Sequence, residues 1–321
     1  MVLMQNQAEK LKRIPESGEI FLFRSCTITS LYPSVEVSTR KSLKALNFKI
    51  LESNEQTCCM DPLYYSNLAT DLQLTAVMAR NLSIIGKYSK NIITECNGCF
   101  STLLTASRNL KNPKIRQEIE PLLADLGYQL VNDFNIIHIA ELYYKILPTI
   151  LKLRKIDLSG IKIATHYGCN FLRAHPEDII TDPQIPTLLE TIIQKCGGTP
   201  VSYTEQDCCC GAGIIQRNIN PDLSLEVSFQ KMKSLSKVSP ELIIAICPFC
   251  MSTLENCQYN IAVEKDLELS IPVLHISELI ATILGFDPQS ELALDSHEIN
   301  PLPILKKLRP ISEEKHSKKV K

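Results

Sequence analysis

The residues best able to do chemistry in this chain of 321 are its 13 cysteines, and their spacing is ordered. Cys26 is followed after 31 residues by Cys58-Cys59, and after 36 more by Cys96-x-x-Cys99. Cys169 is followed after 39 residues by Cys209-Cys210, and after 36 more by Cys247-x-x-Cys250. One five-cysteine pattern thus occurs twice, leaving Cys196, Cys208 and Cys257 over. A disulfide scaffold predicts a short exported chain with an even count. Here the count is odd, the chain is long, and Met1 to Glu16 lacks the apolar run of a secretory signal. Three readings of the thiols stand. Cysteines can be small buried hydrophobes. Zinc takes four ligands, commonly from paired C-x-x-C units, whereas each set here has one such unit, an adjacent pair and five thiols in all. Iron–sulfur clusters are larger than one ion, so neighbouring thiolates can reach different irons, and this fits best.

The elements that position the cysteines repeat as well. Ile92–Cys99 matches Ile243–Cys250, and Ile136–Leu142 matches Val273–Leu279. Repeats fix architecture. The expected plan is an N-terminal extension (1–17), a first half (18–147), a junction (148–159), a second half (160–288) and a C-terminal segment with a basic tail (289–321). Apolar β-rich runs predict strands at Ile20–Arg24, Phe48–Leu51, Asn91–Thr94 and Asn135–Ile139. Their counterparts are Lys162–Thr165, Pro200–Tyr203, Leu242–Ile246 and Pro272–His275. Helical spacing lies between them at Val35–Leu46, Ser66–Tyr88, Asn112–Leu126, Pro183–Cys196 and Pro221–Ser236. Strands alternating with helices imply an α/β fold of two pseudo-symmetric halves, each a small, mostly parallel sheet with flanking helices. Cys26, Cys96, Cys169 and Cys247 then follow strands at their carboxyl ends, the ligand edge of such sheets. Gly98, Gly168, Gly211 and Gly213 beside the cysteines permit tight turns and close backbone approach.

Together these strings resemble the cysteine-rich CCG family, and two copies in one chain resemble the HdrB type of heterodisulfide reductase subunit found in methanogens. His166-Tyr167-Gly168-Cys169, Cys209-Cys210-Gly211-Ala212-Gly213, Asn97-Gly98-Cys99 and Cys247-Pro248-Phe249-Cys250 carry the likeness. So do Ile271–His275 and Ala293–His297, and it covers about residues 18–308. The resemblance implies a catalytic iron–sulfur subunit. Cys26, Cys58, Cys59, Cys96 and Cys99 would hold one noncubane [4Fe-4S] cluster. Cys169, Cys209, Cys210, Cys247 and Cys250 would hold a second. It further implies a disulfide, the coenzyme M–coenzyme B heterodisulfide, cleaved homolytically between the clusters to two thiols. Departures are Met60 after the first pair, Ile214 and Ile215 after Gly213, and Met251 after Cys250.

Other residues give weaker signals. His166, three positions before Cys169, is a candidate proton donor to product thiolate. His138 and His275 hold equivalent places, which argues for a shared structural bond. Cys208 also forms a pair with Cys209, but the 36-residue gap selects Cys210. Cys196 and Cys257 read as buried hydrophobes in helical segments. Arg24, Arg80, Arg173 and Arg217 are candidate anion partners, with solvated surface roles as the default. The tail Lys306–Lys321 reads as a solvated end. The net charge of −1 argues against nucleic acid, and no run of about 20 apolar residues predicts a membrane span. No G-x-G-x-x-G follows a strand, so electrons come from outside. By resemblance the donors are two partner chains in a cytoplasmic heterodisulfide reductase complex, one ferredoxin-like and one flavin-containing. Another CCG-type oxidoreductase subunit, of a fumarate reductase or succinate dehydrogenase, and a zinc-stabilised adaptor are the alternatives.

Overall fold

The computed structural model describes residues 2–311, with the side chains of 2–5 and 214–216 outside the description. The part of the basic tail beyond residue 311 lies outside it too. Two four-stranded parallel sheets dominate. The first orders its strands β2-β1-β3-β4: β1 is Gly18–Phe23, β2 Phe48–Leu51, β3 Asn91–Thr94 and β4 Asn135–His138. The second repeats that order as β7-β6-β8-β9: β6 is Lys162–His166, β7 Thr199–Val201, β8 Leu242–Ala245 and β9 Val273–His275. Between them in sequence, β5 (Ile156–Asp157) pairs antiparallel with β10 (Arg309–Pro310), which ties the end of the described chain to the junction. The central strands are apolar over most of their buried length because helices cover both faces. Phe21, Leu22 and Phe23 are fully buried, as are Ile243 and Ile244. Register places Phe21 beside Ile92 and Ala164 beside Ile243. The two-halved α/β architecture expected from the repeat is borne out.

Helix limits follow capping and proline. Ser66–Tyr88 shortens to a helix at Asp71–Ile85, because Thr70 and Gln73 form a capping box there. Pro183–Cys196 shortens to Leu188–Lys195, since Pro183 and Pro186 bias the preceding residues away from helix. Two helices with no counterpart in the periodicity, Asn97–Asn109 and Pro248–Lys265, begin directly after Cys96 and Cys247. The expected extension forms a helix, Val2–Arg13.

The halves interlock. The helix Ile276–Ile283 of the second half packs on Pro33–Ala45 of the first. Reciprocally, Ile139–Lys145 of the first packs on Leu188–Lys195 of the second. His138 and His275 cap the helices that follow β4 and β9. Each ring Nδ1 accepts an amide two residues on, at 3.2 Å. Glu141 and Glu278 accept the histidine amides at 3.1 and 2.8 Å. Both glutamates are buried, and a buried carboxylate needs a partner. Each receives one from a terminal segment. Lys10 of the N-terminal helix meets Glu141 Oε2 at 2.8 Å and also donates to the Asp178 carbonyl. His297 of the C-terminal segment meets Glu278 Oε1 at 3.0 Å and Glu255 Oε1 at 2.9 Å.

Candidate metal centre

Each C-x-x-C unit spans the first turn of a helix. Cys96 and Cys247 are N-caps in extended conformation, and Cys99 and Cys250 stand three residues on. That offset brings N-cap and N3 side chains together, and the helix N-terminus favours thiolate. The Cys-Cys pairs arrive on the loops after β2 and β7. Gln56 anchors the first loop, accepting from the Arg24 amide at 3.0 Å and donating to the Arg24 carbonyl at 2.8 Å. Cys26 is thereby set against Cys58.

The ten cysteines of the two repeats form one unbroken line of thiol contacts. In the first half Cys26 meets Cys58, Cys58 meets Cys59, Cys59 meets Cys99, and Cys99 meets Cys96. Cys96 then lies against Cys247 across the halves. The line continues through Cys250, Cys210 and Cys209 to Cys169. Cys210 and Cys250 sulfurs are 3.3 Å apart. Crowding splits the acidities. Hydrogen bonds from Cys58 and Cys99 lower Cys59 to about 6, while the bond to Cys247 is the main cause that raises Cys96 to about 12. Cys208 is outside the line and exposed. Cys196 and Cys257 are buried elsewhere, Cys257 Sγ lying 3.6 Å from the Leu254 carbonyl.

Each pair is followed by a turn that aims an amide at its first sulfur. Gly211 N–H points to Cys209 Sγ at 3.3 Å, and Met60 N–H to Cys58 Sγ at 3.3 Å. Both residues take positive φ, +95° and 61°. The turn explains why a small residue suits this place and why Met60 carries local strain. The two positions should respond oppositely to mutation. Met60→Gly should be stability-neutral or gain up to about 1 kcal/mol. Gly211→Ala should lose metal, since a Cβ would meet Ser228 Oγ at 2.4 Å and the Ser224 carbonyl at 2.7 Å. Thermal melts and iron content check both.

Two cavities touch the thiols. One, of about 370 Å³, opens beside Cys26, Cys58, Cys59 and Cys99. The other, of about 270 Å³, lies between the halves, with the second thiol set on one side and Asp61, Tyr65, Asn97 and Gly98 of the first half on the other. Polar bonds cross the halves here. Asn97 Nδ2 donates to the Tyr167 carbonyl at 2.6 Å, and Asn170 Nδ2 to Asp61 Oδ1 at 2.9 Å. Asp61 is 7% exposed; burial, then the Cys96 and Cys26 thiols, raise it to about 7. Asp61 and Asn170 were not singled out in the sequence, and Asn97 stood there only as part of the Asn97-Gly98-Cys99 string. Their only signal was adjacency to the cysteines.

The remaining candidates fall elsewhere. His166 is buried with a ring nitrogen within 4.8 Å of the Cys210 and Cys250 sulfurs. It does not line the cavity between the halves. Burial, then the Lys231 charge, lowers it to about 3, so the ring is neutral. Arg24 borders the outer cavity and pairs with Glu36 at 3.2 Å. Arg80 donates to the Glu55 carbonyl, Arg173 to the Asp207 carbonyl, and Arg217 borders a separate cleft near Cys257. Ten gathered thiols, amides aimed at sulfur and adjacent open volume fit an iron–sulfur cofactor. Five thiols per half exceed a tetrahedral zinc site.

The cysteine-rich CCG domain profile matches residues 20–104 and again 163–255. The chain belongs to the CCG cysteine-rich domain family, as two copies of its domain. It is 29% identical to HdrB of the ferredoxin/F420H2-dependent CoB-CoM heterodisulfide reductase of Methanosarcina acetivorans, over 92% of this chain and 98% of that one. It is 32% identical to an HdrB-like heterodisulfide reductase protein of Archaeoglobus profundus, over 84% and 91%. At 25% identity it is similar to the 8-methylmenaquinol:fumarate reductase membrane anchor subunit of Wolinella succinogenes, over 88% and 97%. A crystal structure of a hypothetical protein from Helicobacter pylori shares the fold, with TM-score 0.69 and 15% identity. The alignment covers 92% of this chain and 57% of that one. Among the described residues no helix is long and apolar enough to cross a membrane. The likeness to HdrB supports an oxidoreductase subunit.

Proposed function

We propose that the protein is the catalytic iron–sulfur subunit of a reductase that splits a disulfide into two thiols. Cys26, Cys58, Cys59, Cys96 and Cys99 would hold one noncubane [4Fe-4S] cluster, and Cys169, Cys209, Cys210, Cys247 and Cys250 the other. The observation that carries this reading is the continuous line of ten thiols joined at Cys96 and Cys247, with a cavity against it. Bound clusters supply single electrons, and a disulfide takes two electrons with two protons to give two thiols. The chain's own residues do the rest. Asn97 and Asn170 hold the halves at a fixed separation across the cavity. Met60 and Gly211 amides donate toward sulfur and favour the thiolate form. His166 supports the second set from behind, as a neutral ring able to give its N–H to Cys210 or Cys250. A proton passed from it to product would have to cross that layer of thiols.

The donor would be a one-electron iron–sulfur partner, a ferredoxin-like protein, fed in turn by a flavin-containing one. The coenzyme M–coenzyme B heterodisulfide, which names the M. acetivorans relative, is one member of the substrate class. The test is anaerobic turnover with a reduced viologen as donor. Release of two thiols per two electrons is expected. Electron uptake without thiol release from any disulfide would contradict the reading.

A further inference from the structure

Lys231 is a buried cation near the second set of thiols. It is 1% exposed, in the helix Pro221–Ser236. Lysine is almost never buried so fully unless it is paired. Here the ammonium donates to two carbonyls, that of Glu205 and, at 3.4 Å, that of Gln206. It also lies 5.2 Å from the centre of the Tyr203 ring. The same helix grips the loop of the second cysteine pair. Ser228 donates to the Cys210 carbonyl at 2.9 Å, and Ser224 to the Gly211 carbonyl at 2.7 Å. Lys231 stands one turn beyond Ser228. Burial lowers Lys231 from the ordinary lysine value, and the Cys210, Cys208 and Cys250 thiols oppose that.

The repeat shows that holding such a loop does not require a buried charge. Lys231 stands 21 residues after Cys210, and Arg80 stands 21 after Cys59. Arg80 is partly exposed, donates to the Glu55 carbonyl at 3.0 Å and lies 5.2 Å from the centre of the Tyr128 ring. The first loop is held instead by a neutral side chain. Asn81 accepts from the Thr57 amide at 2.9 Å and donates to the Cys58 carbonyl at 3.4 Å. Water and salt screen the Arg80 charge, whereas the Lys231 charge acts in a low dielectric. A cluster that takes up an electron gains one negative charge, and charge nearby helps to set its reduction potential. Resting on the cluster-binding part of the proposed function, we propose that Lys231 holds up the reduction potential of the cluster in the second set. It acts across space and touches no substrate. The two halves of a duplicated chain are thereby made electrically unequal.

Spectroelectrochemical titration of the anaerobically purified protein tests this, with viologen mediators and the cluster absorbance as readout. The Cys99→Ala protein, which keeps the second set, identifies that set's midpoint. Lys231→Gln keeps a donor for the loop carbonyls and removes the charge; Lys231→Arg keeps the charge. The glutamine variant should retain its iron and lower the second midpoint by about 59 mV or more, a tenfold change in a one-electron equilibrium. Lys231→Arg and Arg80→Gln should leave both midpoints within about 3-fold on the same scale. An unmoved midpoint in Lys231→Gln overturns the proposal and leaves the clusters standing. So does an equal fall in Lys231→Arg or in Arg80→Gln. Loss of the second set's iron from Lys231→Gln also overturns it, because Lys231 is then a loop anchor. Unaltered protein that binds no iron removes the proposed function itself, and this proposal with it.

Discussion

Cys99→Ala and Cys250→Ala should each cut the iron bound per chain to about half and abolish disulfide cleavage. Each residue is a hub of its own set. Cys99 touches Cys59 and Cys96, and Cys250 touches Cys210 and Cys247. Both are buried in the first turn of a helix, where alanine is well tolerated and close in size. The loss should therefore be of metal and not of fold, which far-UV circular dichroism would confirm. A disulfide needs two electrons and clusters pass them singly, so one surviving set cannot finish the reaction. Cys208→Ala is the control. Its thiol is exposed and stands apart from the line of ten, so iron and turnover should stay unchanged. Loss of iron in the Cys208 variant, or full iron in the other two, would overturn the ligand assignment.

His297→Gln should lower the melting temperature by about 5–7 °C, the effect of about 3–5 kcal/mol lost when one partner of a buried ionic network is removed. His297 joins Glu255 and Glu278, and the Tyr32 hydroxyl of the first half donates to Glu255 at 3.0 Å. Burial alone would lower the histidine, but the Glu278 charge and the hydrogen bonds to Glu255 and Glu278 outweigh it and hold it up at about 10. Because the folded value lies above the ordinary 6.5, the folded state binds the extra proton between the two values. That stability is complete below about pH 6.5 and disappears as pH rises through about 10. Stability should fall by about 1.4 kcal/mol per pH unit across this window. The His297→Gln variant should lack that slope. A pH series of melts checks both statements, and parallel curves for the two proteins would refute them.

Much of this architecture could be read in the chain because its information is local or repeated. All eight strands of the two sheets fall within the apolar runs expected for them, give or take a residue or two. The gaps of 36 residues before each C-x-x-C separate Cys210 from Cys208. The rest was hidden for identifiable reasons. The helix Asn97–Asn109 buries every residue from Asn97 to Leu103, so it has no amphipathic period to find. The N-terminal helix has polar spacing, and its role depends on Lys10 reaching Glu141, 131 residues away. Asn97 to Tyr167 and His275 to Glu95 join positions 70 and 180 residues apart, beyond any local signal. Asp61 was passed over because a search for repeats favours what the halves share.

Two clusters per chain, one in each five-cysteine set, are expected. Anaerobic purification followed by iron, acid-labile sulfide and zinc analysis tests this most directly. About eight irons per chain with sulfide in similar amount, and no stoichiometric zinc, are expected. About four irons would mean that one half holds none and the two-sided cleavage fails; zinc without iron would remove the redox reading altogether.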